Sequence, residues 1–357
     1  MSLEMRNSPN SSLKTRLKSR LLELSPQEVS FSRLGFPGSS SPSRAHLEKI
    51  IQTFVEGYNA AVAVGDMNRL AQRLDSSFSP AFVGFAYEGA GFYFGLADLL
   101  LPRFESQLAA FARSAASRHD FITLVGGGFA VARVPFGARR LRSYQRKLDP
   151  LNAWCLADGY GFHQGIFFWK RFIQEREEAP SSFDLQQRRL FDAGVGRSMW
   201  WVFGADPHSI ASAISRFDSI RRPEMWTGIG TALAYAGGGP QEAPQLLSEL
   251  AGEYRLDLLS GIPFAAHMRD KGRNPADWTN RVCSELLGLS VANTATLIVT
   301  ELNDYFDSWR GSEDDMWSEC YLALRNRVKR RLQNDVADLR VSAHAERGLE
   351  EMYDNQD

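Results

Sequence analysis

Acidic and imidazole side chains set among aromatics and glycines are the first candidates for chemistry in this sequence. The run AWCLADGYGFHQGIFFW, from Ala153 to Trp169, holds Asp158 and His163, and the comparable run GFAYEGAGFYFG holds Glu88. A carboxyl and an imidazole can act as general acid and base. Five residues at about 100° per step leave Asp158 and His163 about 140° apart around a helix, a poor pair within one element. A contact between Glu88 and His163 from different helices is freer, and it would raise the histidine pKa. The same three groups also read as hydrogen-bonded members of a packed interior. Asp192 and Arg197 share that ambiguity, with Arg188 or Arg189 as the expected partner of Asp192.

Other chemistries find less support. The acids of NDYFD, Asn303 to Asp307, and EDDMWSE, Glu313 to Glu319, are of the kind that holds magnesium and diphosphate, since hard cations prefer several oxygen ligands. The second cluster lacks the asparagine-serine-glutamate order of isoprenoid-processing enzymes, so no metal site is assigned. The six histidines never fall at H-x-x-x-H spacing, and no G-x-S-x-G, Walker loop or H-E-x-x-H occurs. Cys155, Cys283 and Cys320 stand far apart without a C-x-x-C pair, as expected of buried thiols. No cofactor is expected.

The elements that must position Glu88, Asp158 and His163 announce themselves through glycine. Pairs recur at Gly126/Gly128, Gly159/Gly161, Gly194/Gly196 and Gly228/Gly230, followed by Gly261 with Pro263, and successive first glycines are 33, 35, 34 and 33 residues apart. A degenerate copy at Gly84/Ala86 precedes them by 42 residues. A period of about 34 residues is that of arrayed helical hairpins. Glycine costs about 1 kcal/mol in a helix interior, and close approach of a neighbouring helix offsets it. DGYGFHQG therefore reads as a packing surface rather than a phosphate loop, because a nucleotide fingerprint occurs once, after a strand. FITLVGGGFAVARV also reads as a β-hairpin over Gly126 to Gly128.

Breaks between helices are legible. Asp206 caps a helix with Pro207 in its first turn, Ile210, Ile214 and Phe217 share one face, and Gly237 to Pro240 is a turn. Asn274-Pro275 reads as another cap and first turn. The fold class expected is all-α: a right-handed, tetratricopeptide-like α-solenoid of tandem hairpins. Three regions follow: 1–43, a basic amphipathic arm with a Leu13, Leu17, Leu21, Leu24 stripe and a Ser-rich tether; 44–300, the helical array; 301–357, charged capping helices, with Tyr321, Leu324, Val328, Leu332 and Val336 beneath a wet basic face from Arg325 to Arg331.

In such an array the residues just past each glycine pair face a common groove. Glu88, His163 and Ser198 share one offset, and Arg133, Trp201 and Tyr235 lie one turn further. With Phe162, Phe167 and Arg197 they make an aromatic, mostly apolar groove suited to a hydrophobic ligand. With 41 basic and 42 acidic residues the chain gives no reason to expect nucleic acid as a partner. Ala81 to Phe104 carries Glu88, Asp98 and Arg103, so no transmembrane segment is expected; the N-terminus lacks a secretory pattern, and a cytoplasmic location is expected.

Several long strings, LDPLNAWCLADGYGFHQGIFFW, FDAGVGRSMWWVFGADP, RRPEMWTGIGTALAYAGG and SGIPFAAHMRDKG, with FVEGYNAAV and GFAYEGAGFYFGLADLL before them, resemble the bacterial domain-of-unknown-function family encoded beside enediyne polyketide synthases in natural-product gene clusters, with members in other clusters. The resemblance runs from about Glu28 to about Asn303 and implies a role in secondary metabolism. It carries over no catalytic residue. Together the groove and the resemblance lead to an expected accessory protein that binds a hydrophobic intermediate or a biosynthetic enzyme. The alternatives are an enzyme that protonates or cyclises a bound polyene or isoprenoid through Glu88, Asp158 and His163, and a protein scaffold without a small ligand, worked through the Leu13 to Leu24 stripe or Arg325 to Arg331.

Overall fold

The computed structural model describes residues 23–101, 105–150, 152–312 and 319–334, and no strand occurs among them. In chain order the longer helices are α1 (Arg44–Ala63), α2 (Met67–Ser77), α3 (Pro80–Leu100), α4 (Gln107–Arg113), α5 (Asp120–Arg133), α6 (Gly137–Gln145), α7 (Cys155–Phe167), α8 (Leu185–Val202), α9 (Pro207–Ser215), α10 (Arg222–Tyr235), α11 (Ala243–Leu250), α12 (Arg255–Gly272), α13 (Asp277–Leu287) and α14 (Val291–Ser308); α15 covers 319–334, and single turns such as Phe31–Leu34 precede α1. The fold is all-α. FITLVGGGFAVARV is the helix α5, not a hairpin.

Caps set the helix starts. Asp66, Ser106, Asp184, Asp206 and Ser290 each accept a backbone N–H of the first turn, and Asp184 completes a capping box with Gln187. Asn274-Pro275 does not play this part. Helix α13 starts at Asp277 with Ala276 at its N-cap, and the Asn274 carbonyl accepts instead from Arg269 of α12 (3.2 Å).

Helices α1, α3, α5, α7, α8, α10, α12 and α14 pack side by side in that order, and glycine is what lets them. Two residues at about 100° each put the members of a G-x-G pair about 200° apart. The first glycine therefore faces the preceding helix and the second the following one. A Cβ on Gly159 would overlap the Val125 carbonyl and one on Gly161 the Phe191 carbonyl; Gly194 and Gly196 face Asp158 and Met225, and Gly228 and Gly230 face Ala193 and Leu258. The register of the first copy differs from the sequence expectation. Gly89 abuts the Phe54 carbonyl and Gly91 the Thr123 carbonyl, whereas Gly84 lies against the Tyr235 hydroxyl. The pair in α3 is Gly89/Gly91. The hairpin plan is also interrupted, since a π-helical turn, Lys170–Gln174, and a loop stand between α7 and α8 where other units carry a short helix.

The array winds back on itself. At the start of α1, His46 Nε2 donates to the Ala236 carbonyl beyond α10 (2.8 Å). In α12, Arg269 donates to the Ala81 carbonyl at the start of α3 (2.8 Å) and to the Tyr235 carbonyl. Helix α15 closes one side. Its Tyr321, Leu324, Val328 and Leu332 are buried, while Val336 and the Leu13 to Leu21 stripe lie outside the described residues. The basic run is not a uniformly wet face: Arg325 pairs with fully buried Glu224, and Lys329 Nζ donates to Asp257 Oδ1 (2.6 Å). Residues 23–43 are not a loose tether either. Leu24 exchanges two 2.9 Å hydrogen bonds with the Asn59 side chain, Trp169 Nε1 donates to the Leu34 carbonyl (3.1 Å), and Ser41 Oγ donates to the Gly204 carbonyl (2.6 Å).

Candidate functional site

With the register corrected, the concave face follows from helix geometry. Positions one before, three after and seven after the first glycine fall within about 80° of one another, between the two glycine contacts. In α3 these offsets give Glu88, Phe92 and Leu96, in α5 Val125, Phe129 and Arg133, in α7 Asp158, Phe162 and Ile166, and in α8 Ala193, Arg197 and Trp201. Seven of those twelve side chains line a cavity of about 240 Å³: Glu88, Phe92, Phe129, Arg133, Phe162, Ile166 and Trp201. His163 and Phe167 close it from one flank, α1 contributes Ile50, Ile51, Phe54 and Val55, and Leu24, Ser25, Val29 and Leu34 of the N-terminal strap complete it.

The walls are aromatic. Phe129 meets Phe162 edge-on (5.4 Å between centroids), Phe162 meets Trp201 (5.1 Å), and the His163 ring sits between Phe129 (5.5 Å) and Phe167 (4.7 Å). Among them stand two polar groups with unused capacity. Glu88 is 3% exposed and His163 1%, and neither Glu88 Oε1 nor His163 Nε2 has a hydrogen-bond partner. Burial pushes the Glu88 carboxyl up to about 8, opposed by the Arg197 cation and reinforced by Asp158. Burial, helped by the Arg133 cation, pushes the His163 imidazole down to about 3. Both side chains are thus mainly uncharged at neutral pH. The histidine shift runs opposite to the rise that a Glu88 contact would bring, because desolvation dominates and the carboxyl itself is protonated. His163 Nδ1 lies 3.4 Å from Gln164 Oε1; a proton at Nδ1 leaves Nε2 as an acceptor, while the protonated Glu88 carboxyl is a donor.

The remaining expected residues sit elsewhere. Asp158 and Arg197 form an ion pair behind the Phe162 wall (2.6 Å), the guanidinium lying 4.3 Å over that ring. Ser198 Oγ donates to the Val195 carbonyl (2.6 Å) and fills the space opposite Gly165, so it is a packing group. Tyr235 is buried under the Arg269 guanidinium, 4.1 Å from its ring, against Phe85 and Gly84. Asp192 pairs with Arg221 (2.7 Å), not with Arg188 or Arg189, because Arg188 turns back to the Phe183 carbonyl and Arg189 reaches Glu224.

Sequence reasoning misses Phe92, Phe129 and the whole contribution of α1. A signal for the first two exists: phenylalanine stands three past the first glycine in three successive units, Phe92, Phe129 and Phe162. Helix α1 carries no G-x-G and so no marker. Among the described residues no group of three or more His, Cys, Asp or Glu is placed to hold a metal ion; residues 313–318 of the acidic region lie outside them. All three cysteines are buried free thiols, and burial raises each pKa.

No curated protein and no solved structure matches the chain. A family model does match, over residues 13–332. That span covers the whole array, the lining of the cavity and most of α15, so the chain belongs to the family of proteins of unknown function designated DUF1702.

Proposed function

We propose that the protein binds a small, largely apolar molecule bearing a hydroxyl or carbonyl group, and that it does so as a cytoplasmic accessory of natural-product biosynthesis of the enediyne polyketide type. The carrying observation is the pair of unpartnered atoms, Glu88 Oε1 and His163 Nε2, in one apolar cavity. A buried polar atom without a partner costs about 1–3 kcal/mol, and a ligand oxygen that satisfies either atom returns that cost on binding. Glu88 and His163 are mainly uncharged at neutral pH and the walls aromatic, which favours an uncharged body for the ligand, with Arg133 the one cation among the described lining residues. At about 240 Å³ the space lies just below the roughly 300–1,000 Å³ of drug-sized clefts, so it suits a compact molecule or one end of a longer chain. The pathway assignment rests on the resemblance of the long motifs from Glu28 to Asn303.

The test is fluorescence titration with an apolar reporter, N-phenyl-1-naphthylamine, of the wild type and of Ile51→Trp and Ile166→Trp, each of which fills the cavity from a different helix. One saturable site, lost in both variants while their thermal transitions persist, is expected. A reporter that fails to saturate, or that binds the filled variants unchanged, contradicts the reading.

A second reading has its own observation. A carboxylic acid held to about 8 beside aromatic faces is suited to proton donation to a bound polyene or isoprenoid, the rings steadying positive charge. Glu88→Gln distinguishes the two: it abolishes product formation under this reading and leaves it intact if the protein only binds.

A further inference from the structure

The long helices run parallel, so the C-terminal ends of α3, α5 and α7 meet at one rim, and Arg133 and Phe167 of that rim also line the cavity. Large apolar side chains project from that rim: Leu100 is 62% exposed, Leu101 68%, Phe136 74% and Phe168 48%. Leu100 and Leu101 stand beside the segment that carries Phe136, since Arg140 donates two 3.2 Å hydrogen bonds to the Leu99 carbonyl and thereby ties the end of α3 to the start of α6. Cations stand among them. Arg133, Arg139 and Lys170 have no carboxylate partner among the described residues; Arg139 lies over the Phe136 ring (5.8 Å) and Lys170 over Trp169 (5.8 Å).

Phe136 carries the argument furthest. Its φ is +58°, the left-handed region, which disfavours a side chain. A phenylalanine held there with its ring in solvent contributes little to the fold, and glycine would adopt the same backbone at lower cost. Strain of this kind points to a role outside the fold. We infer that this rim is a membrane-docking surface: Phe136, Leu100, Leu101 and Phe168 enter the interface of an anionic phospholipid bilayer, and Arg133, Arg139 and Lys170 meet its headgroups.

A bilayer fits better than a protein partner. Separate apolar tips spaced by cations do not make the contiguous, desolvated centre of a protein interface, which takes about 800 Å² on each side, whereas a bilayer demands no shape complementarity. Basic residues are drawn to an anionic leaflet and apolar tips partition beneath its headgroups. No single helix among the described residues is long and apolar enough to cross a membrane, and the inference concerns association of this rim with the bilayer surface. The inference does not depend on what fills the cavity.

The experiment is sedimentation of the full chain with vesicles of phosphatidylcholine alone and with a quarter phosphatidylglycerol. Wild type should bind the anionic vesicles, more weakly at raised salt. Phe136→Gly and Leu100→Ser/Leu101→Ser should each lower partitioning at least roughly ten-fold, from the apolar area withdrawn. Arg139→Glu/Lys170→Glu should abolish the preference for phosphatidylglycerol. Phe136→Gly is the decisive variant because its thermal midpoint should equal or exceed that of the wild type. Absence of wild-type binding to anionic vesicles, or binding that these variants leave unchanged, overturns the inference. So does a dimer in sedimentation velocity that Phe136→Gly dissociates without any vesicle binding, which would make the rim a protein interface.

Discussion

Replacing Glu88 with glutamine should make the protein more stable in alkali and leave it nearly unchanged in acid. Glu88 is 3% exposed, and its carboxyl is held to about 8 against an ordinary 4.5. In the unfolded chain it ionises near 4.5, while in the folded chain it keeps its proton until about 8. Between those values the unfolded state binds fewer protons, so raising the pH drains stability by about 1.4 kcal/mol per pH unit. The stabilising contribution is full below 4.5 and gone above 8, a change on the order of 5 kcal/mol. Glutamine has nearly the same shape and no proton to lose. Other buried acids titrate in both proteins, so the informative quantity is the difference between wild type and Glu88→Gln, taken from guanidinium unfolding at successive pH values from 4 to 9.5. A gap that opens between about 4.5 and 8 and then levels off is expected. A gap that stays constant over the whole range would refute the reasoning, since it would mean that Glu88 is solvated or ion-paired in the folded protein.

The opposite limb belongs to the histidines. His163 is pushed down to about 3 and His119 and His267 to about 4, each mainly by burial, so stability should fall as pH drops below 6.5 toward those values, and His163→Gln should flatten that limb in the same unfolding assay. Gly161→Ala, whose Cβ would overlap the Phe191 backbone, should cost roughly 3 kcal/mol or more, while Gly65→Ala, with open space around it, should change stability by no more than about 0.5 kcal/mol; thermal midpoints compare them. Arg325→Met strips the main partner from fully buried Glu224 and should cost about 3–5 kcal/mol, most of it recovered by adding Glu224→Gln, as chemical denaturation of the single and double variants will show.

Much of this architecture is legible from glycine alone, because a helix interior does not keep two glycines per unit unless something lies against them. The helical character and the close side-by-side packing follow from that. The register at the first unit does not, since α3 holds Gly84, Gly89, Gly91 and Gly95, and only the neighbouring backbones at Phe54 and Thr123 single out the middle pair. That one slip moves the concave face from four past the first glycine to three past it, and with it hides Phe92 and Phe129. Glu88, His163, Arg133, Phe162, Phe167 and Trp201 meet in one cavity all the same, because a helix of 100° steps puts adjacent offsets on overlapping faces. Ser198 and Tyr235 do not join them: their chemistry suits a groove, but Gly165 and Gly84 draw them into helix contacts. Long-range pairings such as Asp192 with Arg221 or Arg325 with Glu224 depend on how the array closes, which no local pattern encodes.

The central claim is that the cavity beside Glu88 and His163 holds a small apolar molecule. Native mass spectrometry of the protein purified gently from a producing host tests it most directly. A retained mass above the 40.0 kDa chain, belonging to a compact apolar molecule with a hydroxyl or carbonyl group and absent from Ile51→Trp and Ile166→Trp, is the predicted result. A bare chain from the wild type, or an added mass that survives both cavity-filling substitutions, would contradict it.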